Sequence, residues 1–104
     1  MDRFEFVNEL LPFYDRLLTE RQQQIAKLYY YEDLSLSEIA ENLDISRNGV
    51  HDTIKKVETL LTEYEDKLGL YAAYNRRNEL YEKLRNHVDQ AGSEIIDELI
   101  KMED

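Results

Sequence analysis

The sequence predicts an all-α protein, and three observations carry that reading. Three glycines and one proline in 104 residues leave little turn chemistry for a sheet. Leu, Glu, Lys, Gln and Tyr are abundant, and the first four lose little side-chain freedom in a helix. Apolar residues recur at three- and four-residue spacing between Ser, Thr and Asp caps. The expected architecture is a helix-turn-helix bundle over residues 1–68. A helical extension over residues 69–104 follows, a long amphipathic helix and then a short final one.

The elements follow in order. Asp2 caps a first helix whose Phe4, Phe6, Val7, Leu10 and Leu11 make one broad apolar face. Pro12 lacks an amide proton and clashes with the preceding turn, so the helix is expected to kink or restart there before Phe13, Tyr14, Leu17 and Leu18. Thr19-Glu20-Arg21-Gln22 matches a capping box and opens a second helix carrying Ile25, Leu28 and Tyr29, ending near Tyr31. Ser35-Leu36-Ser37-Glu38 is a second capping box, starting a short helix with the stripe Leu36, Ile39, Ala40 and Leu43. Asp44 and Ile45 turn the chain, and Ser46 caps a helix with Val50, Ile54, Val57, Leu60 and Leu61 on one face. That helix is expected to run to Leu68 and stop at Gly69. Leu70, Ala73, Tyr74, Tyr81, Leu84, Val88 and Ala91 trace the long amphipathic helix, with Gly92 as its stop. Ser93 then caps the last helix, carrying Ile95, Ile96, Leu99 and Ile100.

The stretch from Leu34 to Lys56 has the joint pattern of a helix-turn-helix: two capped helices, a tight turn, and the small Ala40 where the second helix crosses the first. With Val50, Ile54 and Val57 turned inward, the outward positions of the second helix are Arg47, Asn48, His51, Asp52 and Lys55. Arg and Asn can read guanine and adenine edges through paired hydrogen bonds, and Lys55 or Lys56 can meet phosphate. Asp52 opposes such a contact, and Gly49 weakens the helix by about 1 kcal/mol relative to Ala. The same residues also suit an ordinary solvated face.

Charge and composition narrow the classes. The net charge of -10, from 23 acidic and 13 basic residues, repels a phosphate backbone and counts against a dedicated DNA binder. Residues 62–104 hold 11 acids and 6 bases and residues 35–61 hold 5 and 3, so the middle is the least acidic part. The absence of Cys excludes a disulfide-stapled module, a thiol nucleophile and a zinc finger, and suits a reducing cytoplasm. No apolar run is long enough to insert in a membrane, and Met1-Asp2-Arg3 lacks a signal-peptide pattern. His51 and His87 lack ligand spacing, and no phosphate loop or nucleophile motif appears. No cofactor, metal, small-molecule substrate or enzymatic activity is therefore expected.

Several runs together resemble a known family. Leu18-Thr19-Glu20-Arg21-Gln22, Leu28-Tyr29-Tyr30-Tyr31, Leu34 through Asn42 and Ile45-Ser46-Arg47 are similar to region 4 of bacterial sigma factors. Phe13 through Leu18, Val50 through Lys56 and Tyr64 through Leu70 narrow the likeness to the YlxM family of small bacterial helix-turn-helix proteins, of the UPF0122 type, over about residues 4–84. The resemblance implies an accessory or regulatory protein of the signal recognition particle pathway, associated with the particle's GTPase or its RNA. A dimeric transcriptional regulator placing the helix from Ser46 in a DNA major groove is the alternative reading of the same residues. A purely structural dimeric module is a third.

Two further features bear on partners. Three consecutive tyrosines, Tyr29 to Tyr31, cannot share one helix face, so at least one is expected at the surface. Arg76 and Arg77 are expected to pair with nearby acids such as Glu79 and Glu82 rather than to bind RNA. The helix from Leu70 is too extended to bury its whole stripe against a small core. A homodimer formed through Leu70, Tyr74, Tyr81, Leu84, Ile96 and Leu99 is the expected solution.

Overall fold

A computed structural model describes residues 1–103, which form six α-helices and, among the described residues, no strand. The helices are α1 (Arg3–Tyr14), α2 (Glu20–Tyr30), α3 (Leu36–Leu43), α4 (Arg47–Leu68), α5 (Leu70–Arg85) and α6 (Gln90–Glu103). The chain divides into two compact units, Met1–Leu68 and a second beginning at Gly69.

Local hydrogen bonds start each helix of the first unit. The Asp2 carboxylate accepts from the Glu5 amide at 2.8 Å. The capping boxes at Thr19–Gln22 and Ser35–Glu38 are both complete: each hydroxyl accepts an amide and each third-position side chain returns to the cap. These reciprocal bonds satisfy donors that the first helical turn would otherwise leave unpaired. α4 is the longest helix, and it packs against α1, α2 and α3. The interior between them holds Val7, Leu10, Leu11, Tyr14, Ile25, Ala26, Ile39, Val50, Val57 and Leu61, all essentially without solvent contact. Two links hold α1 to α4 at the edge of this core. The Tyr14 hydroxyl donates to Glu65 at 2.5 Å, and Arg3 pairs with Glu58 at 3.4 Å.

Pro12 does not break the first helix. It sits inside α1, which continues to Tyr14 before tightening into a single 3-10 turn over Asp15–Leu17. One missing amide near the end of a helix costs one bond, and the buried Leu10, Leu11 and Tyr14 hold the turn in place around it.

In the second unit, α5 and α6 lie antiparallel, tied by Arg85 to Ser93 at 2.9 Å and to Asp97 at 2.6 Å, and by an Arg77–Glu103 ion pair. The expected long helix through Ala91 is corrected here: α5 ends at Arg85, and α6 begins at Gln90 with Gly92 inside it. Asp89, not Ser93, is the cap, accepting the Gly92 amide at 2.9 Å. Gly92 is needed at that place because a Cβ there would lie 2.7 Å from Val88 Cβ. The last helix is thus about as long as the one before it.

Candidate nucleic-acid interface

The turn of the helix-turn-helix is built from the end of α3. Asp44 adopts a left-handed conformation with φ 55, one that Asp tolerates better than most side chains. The Ile45 amide then donates to the Ala40 carbonyl at 3.0 Å. Ser46 follows, its hydroxyl accepting the Gly49 amide at 2.9 Å and its carbonyl accepting the Val50 amide at 3.1 Å. Ala40 is buried, and α3 packs against α4. These bonds fix the direction in which α4 leaves the turn.

That direction sorts the side chains of α4. Val50, Ile54, Val57 and Leu61 are buried, and Arg47, Asn48, His51, Asp52, Lys55 and Lys56 are all exposed. At 100° per residue, Arg47, His51, Lys55 and Asn48 share one exposed arc. Asp52 falls between Lys55 and Lys56 in the same projection, which sets Lys56 apart at the far edge. His51 Nδ1 lies 3.5 Å from Asp52 Oδ1, so this acid sits against the histidine as well as between the lysines.

The charge along α4 is divided. Ser46 to Lys56 carries Arg47, Lys55 and Lys56 against the single acid Asp52, whereas Val57 to Leu68 carries Glu58, Glu63, Glu65 and Asp66 against Lys67. Among the described residues, Arg47, Lys55 and Lys56 form no ion pair, while Arg3, Arg76, Arg77 and Arg85 all do. The positive end of the helix dipole lies at the same basic half. Glu38 and Glu41 of α3 are exposed nearby in sequence. The Glu38 carboxyl is held below the ordinary carboxylate range, first by the Ser35 backbone amide and then by its hydroxyl.

The tyrosine run divides as its spacing requires. Tyr30 is buried, Tyr29 half-buried and Tyr31 exposed, and Phe4 packs on the first two with ring centroids 4.9 Å from Tyr30 and 5.5 Å from Tyr29. Arg76 pairs with Glu79 at 3.2 Å.

The residues read from the sequence as a partner surface do not form one set. Leu70, Leu84 and Leu99 are exposed, whereas Tyr74 and Tyr81 are half-buried, the Tyr81 hydroxyl donating to Glu103 at 3.5 Å. Ile96 is corrected: at 2% exposure it is interior and presents nothing to a partner. Leu80, Ile95 and Met102 are exposed instead. The four-residue spacings Leu80–Leu84 and Ile95–Leu99 were the signal for two of them.

Among the described residues no group of three or more His, Cys, Asp or Glu is placed to hold a metal ion, and no helix is long and apolar enough to cross a membrane. A family model described as "Putative helix-turn-helix protein, YlxM / p13 like" matches residues 1–101. A UPF0122 protein of Halalkalibacterium halodurans is 45% identical over 102 residues, covering 97% of this chain and 94% of its own length. A UPF0122 protein of Bacillus thuringiensis is 41% identical over 103 residues, covering 93% and 94%. One from Desulforamulus reducens is 46% identical over 89 residues, covering 86% and 76%.

Proposed function

The chain belongs to the UPF0122 family of YlxM/p13-like helix-turn-helix proteins, and from that premise we propose that it is a non-enzymatic, cytoplasmic, homodimeric regulatory protein that contacts the RNA of the signal recognition particle through Arg47, Asn48, His51, Lys55 and Lys56. The observation that carries this reading is the exposed basic half of α4, three cations free of ion pairs on a chain of net charge -10. Three exposed cations gathered in the first half of a capped helix, with Asp52 the single acid among them, make a local positive patch that suits phosphate. The family is one of helix-turn-helix proteins rather than enzymes, which supports the non-enzymatic part. The absence of Cys fits a reducing compartment.

Gel-shift titration with signal recognition particle RNA at low and moderate salt tests it. Binding should weaken steeply with salt, and Arg47→Ala with Lys55→Ala should flatten that slope by roughly 0.7–0.9 per lost phosphate contact. No shift at low salt would overturn it.

A second reading rests on Arg47 and Asn48, exposed in the first turn of α4, where a helix-turn-helix protein reads base edges in duplex DNA. Under that reading a duplex competes the RNA off, and Asn48→Ala relaxes sequence preference while leaving the salt slope unchanged.

A further inference from the structure

Asp52 is the one side chain on the outer face of the basic half of α4 that, when ionised, only accepts hydrogen bonds. Arg47, Lys55 and Lys56 only donate, and Asn48 does both. The Asp52 side chain is 83% exposed. Lys55 and Lys56 stand three and four residues beyond it, the spacings at which an acid and a base pair on a helix. Among the described residues neither pairs with it, and its one ion-pair contact is His51 Nδ1, 3.5 Å from Oδ1. Nor does it help to start the helix. Ser46 is the cap, and Asp52 lies in the second turn, past the amides and the dipole that favour an acid. Its acceptor capacity is thus open to a partner.

Position narrows what that partner offers. Projected at 100° per residue, the exposed arc runs Arg47, His51, Lys55, Asn48, Asp52, Lys56. Asn48 and Asp52 are one turn apart, with cations to either side. Cations at the margins of such a face suit phosphates, leaving the side chains between them for bases. Phosphate oxygens repel a carboxylate, so Asp52 needs a base edge that donates. The major groove of an A-form helix is too narrow for side chains to read, and base-specific contacts to RNA fall on unpaired loop or bulge bases. We propose that Asp52 sets the base preference of this face by accepting hydrogen bonds from N1–H and the N2 amino group of an unpaired guanine. That edge sets two donors side by side against the two carboxylate oxygens. Adenine and cytosine present a single amino group beside an acceptor nitrogen, and uracil a single N–H between two carbonyls, so each of them also repels the carboxylate. This inference rests on the reading that the face meets RNA and adds which base it selects.

Anisotropy titrations of the full chain at low salt read the result. The probes are hairpin RNAs of one stem, whose uridine loops carry a single guanosine, a single inosine, a single adenosine or no purine. The guanosine loop should bind about tenfold tighter than the adenosine loop. Inosine, which keeps N1–H and lacks the amino group, should fall between them. Asp52→Asn should bring the guanosine-to-adenosine ratio to one or below, because an amide suits adenine. Glu63→Gln should keep the ratio of the parent. The ratio is the reading, since removing a negative charge strengthens binding to every RNA alike. Equal binding of all four loops, with a steep salt dependence that Arg47→Ala flattens, would overturn this inference and leave the RNA reading standing. Binding to none of them would overturn both. A guanosine preference that survives Asp52→Asn also overturns it. So does an Asp52-dependent difference seen only between ribose and 2′-deoxyribose loops, which would assign the carboxylate to the ribose hydroxyl.

Discussion

Single atoms decide the behaviour of two positions. Gly92 would gain about 1 kcal/mol of helix propensity on conversion to Ala, but the new Cβ would stand 2.7 Å from Val88 Cβ, and such overpacking costs about 1–3 kcal/mol. Steric overlap wins, so Gly92→Ala should lower the urea midpoint of α6; an unchanged or raised midpoint contradicts this. The Tyr30 hydroxyl is buried beside the Glu58 carboxylate, which also pairs with Arg3, and makes no well-formed hydrogen bond to it. Burial first, and then the charge of Glu58, raise its pKa far above the ordinary tyrosine value of 10.0. The unfolded chain therefore releases this proton before the folded one does. Stability is insensitive to this group below that value and falls as pH rises above it. Tyr30→Phe should stay within about 1 kcal/mol of the parent near neutrality, because the hydroxyl has no well-formed hydrogen bond to lose. It should also lose less stability between about pH 9 and about pH 11. Denaturant titrations at both pH values check the pair of expectations. Neither feature was legible in the sequence: Gly92 reads there as a helix stop, and the spacing puts Tyr29 on the inward stripe of α2, where the structure buries Tyr30.

At the scale of the element, α4 carries a buried stripe from Val50 to Leu61 and an outer face whose charge changes sign midway. The stripe and both ends follow from spacing, from Ser46 and from Gly69, whose φ of 61 suits a residue without a Cβ. The outer face was legible residue by residue, and helical periodicity alone places Asp52 between Lys55 and Lys56. Asp52→Asn removes a negative charge from among the cations and should raise nucleic-acid affinity several-fold at low salt, with the gain fading as salt screens it. Glu63→Gln, farther along the acidic half, should change affinity little. Equal effects from the two would mean that net charge rather than this face governs binding. α3 contributes through its capping box. Its Glu38 carboxyl is held below the ordinary range by Ser35, so that contribution is present above the ordinary carboxylate value and lost as pH falls through the lowered one.

Across the whole molecule the apolar interior is unevenly shared, with nearly all of it in Met1–Leu68. Opening free energy tracks buried contact, so amides of α5 and α6 should exchange at lower free energy than those of α1, α2 and α4 in dilute protein. Native-state hydrogen exchange measures this directly, and one shared opening energy for both units would refute it. The sequence by itself determined the all-α class, the capped starts of α2, α3 and α4, and the turn at Asp44 and Ile45. Capping and turn bonds join residues three or four apart, so their partners are written next to one another in the chain. Only the tertiary structure decided that Pro12 stays within α1, that α5 ends at Arg85, that Ile96 is interior, and that Leu80, Ile95 and Met102 share an open face. Those outcomes depend on which side of a helix its neighbour covers, and periodicity marks an apolar side without saying what, if anything, lies against it.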